Sequence, residues 1–232
     1  MKIRINKFIA QSGIASRRAS DELIKKGQIF LNGNKVTELG TKVDPEKDKI
    51  SVGDKTISFS KKVYYIVNKP VGYTSTVEDK FAKKLVVDLA PKDIPVFPVG
   101  RLDKNSQGLM ILTNDGELAN RVSHPKYEHE KEYEVICELH SQKINAIIRK
   151  FEQGFSVEFE RFRPVKVKNI HLRGKILKLN MVLKEGKKRQ IRRMCKAVEW
   201  KVLDLRRIRI GKILLGQLKS GSCKKITKED IL

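Results

Sequence analysis

Asp103 sits in the stretch Val99–Thr113, VGRLDKNSQGLMILT, where a short polar loop separates two apolar runs. Arg101 lies two residues before it and Gly108 five residues after it. The whole chain carries 50 Lys and Arg against 27 Asp and Glu, a net charge of +23. A carboxylate placed for nucleophilic or base chemistry in so basic a chain points to an enzyme acting on a polyanion. An aspartate in a turn can equally be structural, its oxygens accepting backbone N–H groups. The loop alone leaves both readings open.

Other chemistries find less support. His129-Glu130-Lys131-Glu132-Tyr133 starts like a zinc-protease motif, but Tyr133 stands where the second histidine would be. His124, His129, His140 and His171 are scattered, so no metal is expected. The EGKKRQ segment around Gly186 lacks the first glycine and the Ser or Thr of a phosphate loop. Cys137, Cys195 and Cys223 are odd in number and widely spaced, which supports neither a disulfide framework nor a zinc site. A reducing cytoplasm is the natural compartment. No apolar run approaches the roughly 18–20 residues that span a bilayer, so no membrane is expected. The N-terminus, MKIRINKFIAQSG, has no long apolar stretch, which argues against a signal peptide.

These residues must be positioned by regular elements, and the pattern predicts two domains. Residues 1–60 form the first. Ile5, Phe8 and Ile9 mark one face of a short helix that Gly13 ends. Ser16 is the expected N-cap of a second helix closed by Gly27, with Ala19, Leu23 and Ile24 as its buried stripe. Asn32-Gly33 signals a two-residue hairpin, and Ile50–Val52 and Thr56–Phe59 a further strand pair turning at Gly53-Asp54. Arg17 and Arg18 fall in the second helix's first turn, where cations oppose the helix dipole. A phosphate docked there would turn that cost into binding; otherwise they are solvated surface charges.

Ser60-Lys61-Lys62 reads as a short polar junction, and residues 63–232 as the second domain. Strands are expected at 63–68, 108–113, 131–137, 165–172 and 176–183, and helices at Glu117–Val122, Gln142–Gln153 and Lys187–Val198. Asn114 and Glu117 are spaced as a capping box. Ile191, Met194, Cys195 and Val198 give the last helix an apolar face and leave Arg189, Arg192, Arg193 and Lys196 elsewhere. Without βαβ alternation, an α+β domain on a mostly antiparallel mixed sheet flanked by helices is expected.

Two resemblances follow from these motifs. RINKFIAQSGIASRRASDELIKKGQIFLNGNKV resembles the S4 RNA-binding module, which implies RNA contact through the two-helix surface. GRLDKNSQGL, KPVGYTST, HEKEYEV and EGKKRQIRRMC together resemble the pseudouridine synthases, in the RsuA/RluB/RluE/RluF branch and closest to the RluF type. That resemblance implies isomerisation of a uridine in ribosomal RNA, most readily 23S rRNA, without a cofactor. The N-glycosidic bond breaks, the held uracil turns, and a C–C bond forms at C5. It implies that Asp103 is the essential nucleophile or base, kept ionised by Arg192, with Tyr133 stacked on the base. Ile191 would floor the pocket, Arg101 would help extrude the nucleotide, and Lys69 and Gly72 would shape the pocket.

Each of these has a plainer reading as well: Tyr133 as a half-buried strand tyrosine, Ile191 as core, Arg192 as one more cation. Lys184–Lys225 holds fifteen Lys and Arg against three Asp and Glu, so Arg189 and Arg193 are further candidates for RNA contact beside Arg17 and Arg18. A second RNA such as tRNA is a possible substrate, and a monomer is expected. The chain departs from the branch where Cys223-Lys224 replaces the usual Trp-Arg, a change expected to touch packing or local RNA contact. A non-catalytic S4-type RNA-binding or ribosome-assembly protein is the alternative.

Overall fold

The computed structural model describes residues 2–140, 143–157 and 159–232. The chain divides into two compact units. One comprises Met1–Val63 with Lys92–Pro95 and Asn114–Gly116; the other comprises Tyr64–Pro91, Val96–Thr113 and Glu117–Leu232.

The first unit runs β1 (Ile3–Arg4), α1 (Ile5–Gln11), α2 (Arg17–Lys25), β2 (Ile29–Leu31), β3 (Asn34–Lys35), β4 (Lys42–Val43), β5 (Ile50–Val52) and β6 (Lys55–Ile57). Ile5, Phe8 and Ile9 of α1 are buried against Ile24, Ile29, Val43 and Ile50. Ser16 caps α2 by accepting from the Ala19 N–H at 3.2 Å. The inward face of α2 is rotated one residue from the expected stripe: Ser20 is buried and Ala19 exposed. The Ser20 hydroxyl is satisfied locally, donating to the Ser16 carbonyl at 2.8 Å, so the helix buries it without an orphaned polar group. Asn32 and Gly33 both have positive φ, 51° and 85°, as a tight β2–β3 turn requires. The four strands order β3-β2-β5-β6, and β1 pairs with β4.

The expected polar junction is tied down. The Ser60 hydroxyl donates to Ser12 O at 2.7 Å, and Lys62 pairs with buried Asp115 at 3.1 Å. Asn114 is not the helix cap that its spacing suggests. Its amide accepts from Val63 N and donates to Lys61 O, both at 2.9 Å. The next helix starts at Gly116, leaving the cap position to Asp115.

The second unit is α+β. Its strands are β7 (Tyr64–Lys69), β8 (Phe97–Pro98), β9 (Gln107–Thr113), β10 (Lys131–Leu139), β11 (Ser156–Val157), β12 (Glu160–Arg161), β13 (Lys166–Arg173), β14 (Ile176–Leu183), β15 (Trp200–Ile210), β16 (Ile213–Leu214) and β17 (Cys223–Ile226). Its helices are α3 (Gly116–Ser123), α4 (Ile144–Gln153) and α5 (Gln190–Lys196). The expected start of α4 at Gln142 lies outside the described residues.

The main sheet orders β13-β14-β10-β15-β9-β7-β17, with β16 on β15 and β8 on β9. Only β15 and β9 run parallel among these pairs; the rest are antiparallel. α4, α5 and Trp200 cover one part of the sheet, burying Phe151, Met194 and Cys195. Leu118 and Val122 of α3 cover the β7–β9 part. α5 is shorter than its apolar spacing predicts. Arg189 takes a left-handed φ of 51° at its start, so Lys187 and Lys188 belong to the preceding turn.

Central β15 was not expected from the pattern. Its pairing with β10 shifts register twice, between Glu132 and Tyr133 and between Ile136 and Cys137, which breaks the two-residue alternation that marks a strand.

Candidate active site

The loop carrying Asp103 leads into β9 and has no regular structure, yet its carbonyls from 102 to 106 are each satisfied. Leu102 O accepts from the buried Ser75 hydroxyl at 2.7 Å. Asp103 O accepts from Ser106 N at 3.0 Å and Lys104 O from Gly72 N at 2.8 Å. Asn105 O accepts from the Arg192 guanidinium at 2.8 Å, and Ser106 O from the Lys69 ammonium at 2.7 Å. Two distant segments, residues 69–75 and Arg192, thus fix one short loop, and its geometry is set before any ligand arrives.

The Asp103 side chain stands outside this network. Among the described residues no hydrogen bond ends on its carboxylate, whose side chain is 31% exposed. Three aspartates elsewhere in the chain show the structural alternative. Asp48 accepts from Asp44 N at 2.7 Å, Asp88 from Leu85 N at 2.9 Å and Asp230 from Thr227 N at 2.8 Å. The structural reading of Asp103 requires such a bond, and it is missing. Its ion-pair partner is Arg189, at 4.0 Å. Arg192 holds the loop backbone two residues further on instead. Burial and neighbouring Arg189 push the Arg192 pKa below its ordinary value, while Asp103 acts in the opposite sense.

Asp103 opens onto a cavity of ≈ 660 Å³, within the range of small-molecule sites. Tyr133, Leu183, Ile191 and Leu205 give it an apolar side; Arg101, Lys104, Lys188 and Arg189 give it positive charge. Tyr133 falls where β10 and β15 shift register, and a bulge at that point re-aims a side chain relative to a regular strand. Ile191 is also buried in the core with Met194, so its two readings coexist.

Behind the loop lie two buried cations, Lys69 and Arg207. Lys69 is fully buried, and its ammonium also donates to Pro70 O at 3.0 Å. Burial lowers its pKa to about 8; the Asp103 charge raises it and Arg207 lowers it further. Arg207 is buried on β15 and donates to Leu109 O at 2.8 Å. Its backbone faces Gly108 so closely that a Cβ there would lie 2.2 Å from Arg207 O. Gly108 is therefore required by close approach between the two parallel strands.

Of the sequence candidates, Asp103, Tyr133, Arg101, Ile191 and Arg189 line this cavity, while Lys69, Gly72 and Arg192 brace its loop from behind. Arg193 is paired with Glu160 and lies over the Phe162 ring. Arg17 and Arg18 are exposed on α2 of the other unit. Cys223 and Lys224 lie on the edge strand β17, opposite Val67 and Ile66. Sequence reasoning missed Ser75 and Arg207. The KPVGYTST match contains Ser75 but gives no sign that its hydroxyl clamps Leu102, and Arg207 is hidden in a run of surface-like arginines.

The chain matches two family models: RNA pseudouridylate synthase over residues 63–197 and the S4 domain over residues 3–50. An uncharacterised RNA pseudouridine synthase of Aquifex aeolicus is 38% identical over 100% of this chain and 93% of its own length. Ribosomal large subunit pseudouridine synthase B of Bacillus subtilis is 37% identical, covering 98% of this chain and 93% of its own. The dual-specificity RNA pseudouridine synthase RluF of Escherichia coli K12 is 36% identical over 99% of this chain and 77% of its own. A crystal structure of a pseudouridylate synthase superposes with a TM-score of 0.67 at 25% identity, covering 99% and 98% of the two chains.

Proposed function

The chain belongs to the RNA pseudouridine synthase family, and from that premise we propose that it converts a specific uridine of ribosomal RNA to pseudouridine in the cytoplasm. 23S rRNA is the favoured substrate, with a second RNA such as tRNA open to it, and the chain acts as a monomer without a cofactor. The B. subtilis and E. coli relatives support this reading through their names. Residues 1–60 serve as the RNA-binding domain and 63–232 as the catalytic domain.

One observation carries the catalytic assignment: an aspartate carboxylate with no hydrogen bond among the described residues, on a loop whose carbonyls from 102 to 106 are held, facing a cavity. Asp103 acts as nucleophile or base on the flipped uridine. Arg189 places positive charge 4.0 Å from it, and Arg192 holds its loop. Tyr133 stacks on the uracil and lets it turn in place. Ile191 floors the pocket. Arg101 fills the space that the flipped nucleotide leaves, offsetting an unstacking cost of a few kcal/mol. Lys69 and Gly72 set the loop's position. Arg17, Arg18 and Arg193 contribute phosphate contacts, Arg193 only once it leaves Glu160.

The test is release of tritium from rRNA labelled at uracil C5, comparing wild type with Asp103→Ala. Release by wild type and none by the variant is expected. Equal release by both would sink the Asp103 assignment. No release by either, with tight rRNA binding, would favour the non-catalytic S4-type alternative.

A further inference from the structure

We infer that Phe159 is a stacking platform for an unpaired base of the RNA beside the target uridine. The inference rests on the reading of the substrate as RNA. Phe159 stands at the turn between β11 and β12 with its side chain wholly in solvent, at 108% relative exposure. A lone exposed apolar residue on a mobile loop would mean little. This one is mounted on a bracket.

Glu160, the next residue, pairs with Arg193 and, at 3.3 Å, with Lys187. The Lys187 ammonium also donates to Arg161 O at 2.6 Å. Phe162 is buried beneath both cations, its ring centre 5.4 Å from Lys187 and 5.1 Å from Arg193. Arg163 N donates to the Glu185 carboxylate at 2.9 Å, and Gln190 donates to the same oxygen at 2.7 Å. Glu185, Lys187 and Gln190 line the Asp103 cavity. Every residue from 160 to 163 is thus fastened to the wall of that cavity, and the aromatic ring stands at the fastened tip.

The chemistry of the surroundings selects the occupant. Its described neighbours in sequence, Glu160, Arg161 and Arg163, are charged, and Arg161 and Arg163 are exposed, a setting that suits an anionic partner better than an apolar protein face. A flat apolar face beside cations suits a ligand with flat rings on an anionic backbone. Bases in a duplex already have their faces covered, so the ligand is an unpaired nucleotide. Because the bracket is fastened to Glu185 and Lys187, which line the Asp103 cavity, that nucleotide sits on the cavity's side of the molecule.

Fluorescence anisotropy of the full chain with a labelled, uridine-rich single-stranded RNA of about 12 nucleotides tests this. Phe159→Ala and Phe159→Leu are expected to bind at least about fivefold more weakly than wild type, and Phe159→Tyr within about twofold. The ratio of variant to wild type should hold between about 50 and 200 mM salt, because stacking releases no counterions. Equal binding by Phe159→Ala, full binding by Phe159→Leu, or no binding by wild type overturns the inference. Matching thermal midpoints establish that the variants fold. Tritium release is read separately: a wild type that binds this probe but releases none from rRNA defeats the enzymatic reading and leaves the stacking contact standing.

Discussion

Two short helices place arginines at their starts and use them in opposite ways. On α2, Arg17 and Arg18 are exposed; Arg17 reaches Asn6 at 3.4 Å, and Arg18 has no side-chain bond among the described residues. On α5, Arg189 pairs with Asp103, Arg192 holds Asn105 O, and Arg193 is taken by Glu160. The first pair is available to an outside anion, and the second set is already committed to building a site. A guanidinium near a helix start is thus no indicator of RNA contact by itself; what its donors already hold decides the matter.

The comparison would break first at Arg192. Arg192→Ala should lower the rate of tritium release about 100-fold, because a loop misplaced by about 1 Å costs that much, while RNA affinity stays within about threefold. Arg192→Lys should recover little, since one ammonium cannot replace a fork that reaches Asn105 O and Val202 O together. A loss of affinity with unchanged turnover would put Arg192 in the same class as the α2 arginines. Arg189→Gln should cost about tenfold in turnover, the smaller figure reflecting a partly exposed pair at 4.0 Å.

Exchanging Arg17 and Arg18 together for alanine should sharpen the contrast from the other side. Affinity for rRNA should fall about tenfold at low salt, and the slope of log K against log salt should flatten by about 1–2, with turnover at saturation unchanged. Filter binding across a salt series reads this directly. Loss of turnover at saturating RNA would show that α2 does more than bind.

The smallest effect concerns Lys69. Burial lowers its pKa to about 8 from an ordinary 10.5, so between those values the unfolded chain holds more protons than the folded one. The stability contribution of Lys69 therefore rises as pH increases through that window. Urea midpoints of wild type and Lys69→Met should move in wild type's favour from about pH 8 to 10.5, and a constant difference would refute the assignment.

The first unit was largely legible because its signals are local. Ser16, Gly27 and Asn32-Gly33 act within a few residues of themselves; the rotation of α2 toward Ser20 and the pairing of β1 with distant β4 escaped. The second unit hid what depends on distant partners. β15 lost its strand signature to two register shifts against β10, and Asn114 turned from its expected cap to Lys61 and Val63. At the site, Asp103 and Tyr133 were visible as residue types in motifs. That Arg189 faces the carboxylate and Arg192 the loop backbone depends on the left-handed turn at Arg189, which no local preference of an arginine announces.

The insertion of β15 between β10 and β9 has a consequence for how the protein is made. Synthesis delivers Gly108 long before Arg207, the residue whose backbone it must meet. Until residues 200–210 are released, β10 and β9 have nothing between them, and α5 lacks the Trp200 and Leu205 side chains of its core. The hairpin strands of the first unit, by contrast, complete their pairing within residues 29–57. On the proposed reading, a growing chain therefore gains its means of holding RNA early and a working aspartate late. An interrupted one would occupy its target without altering it.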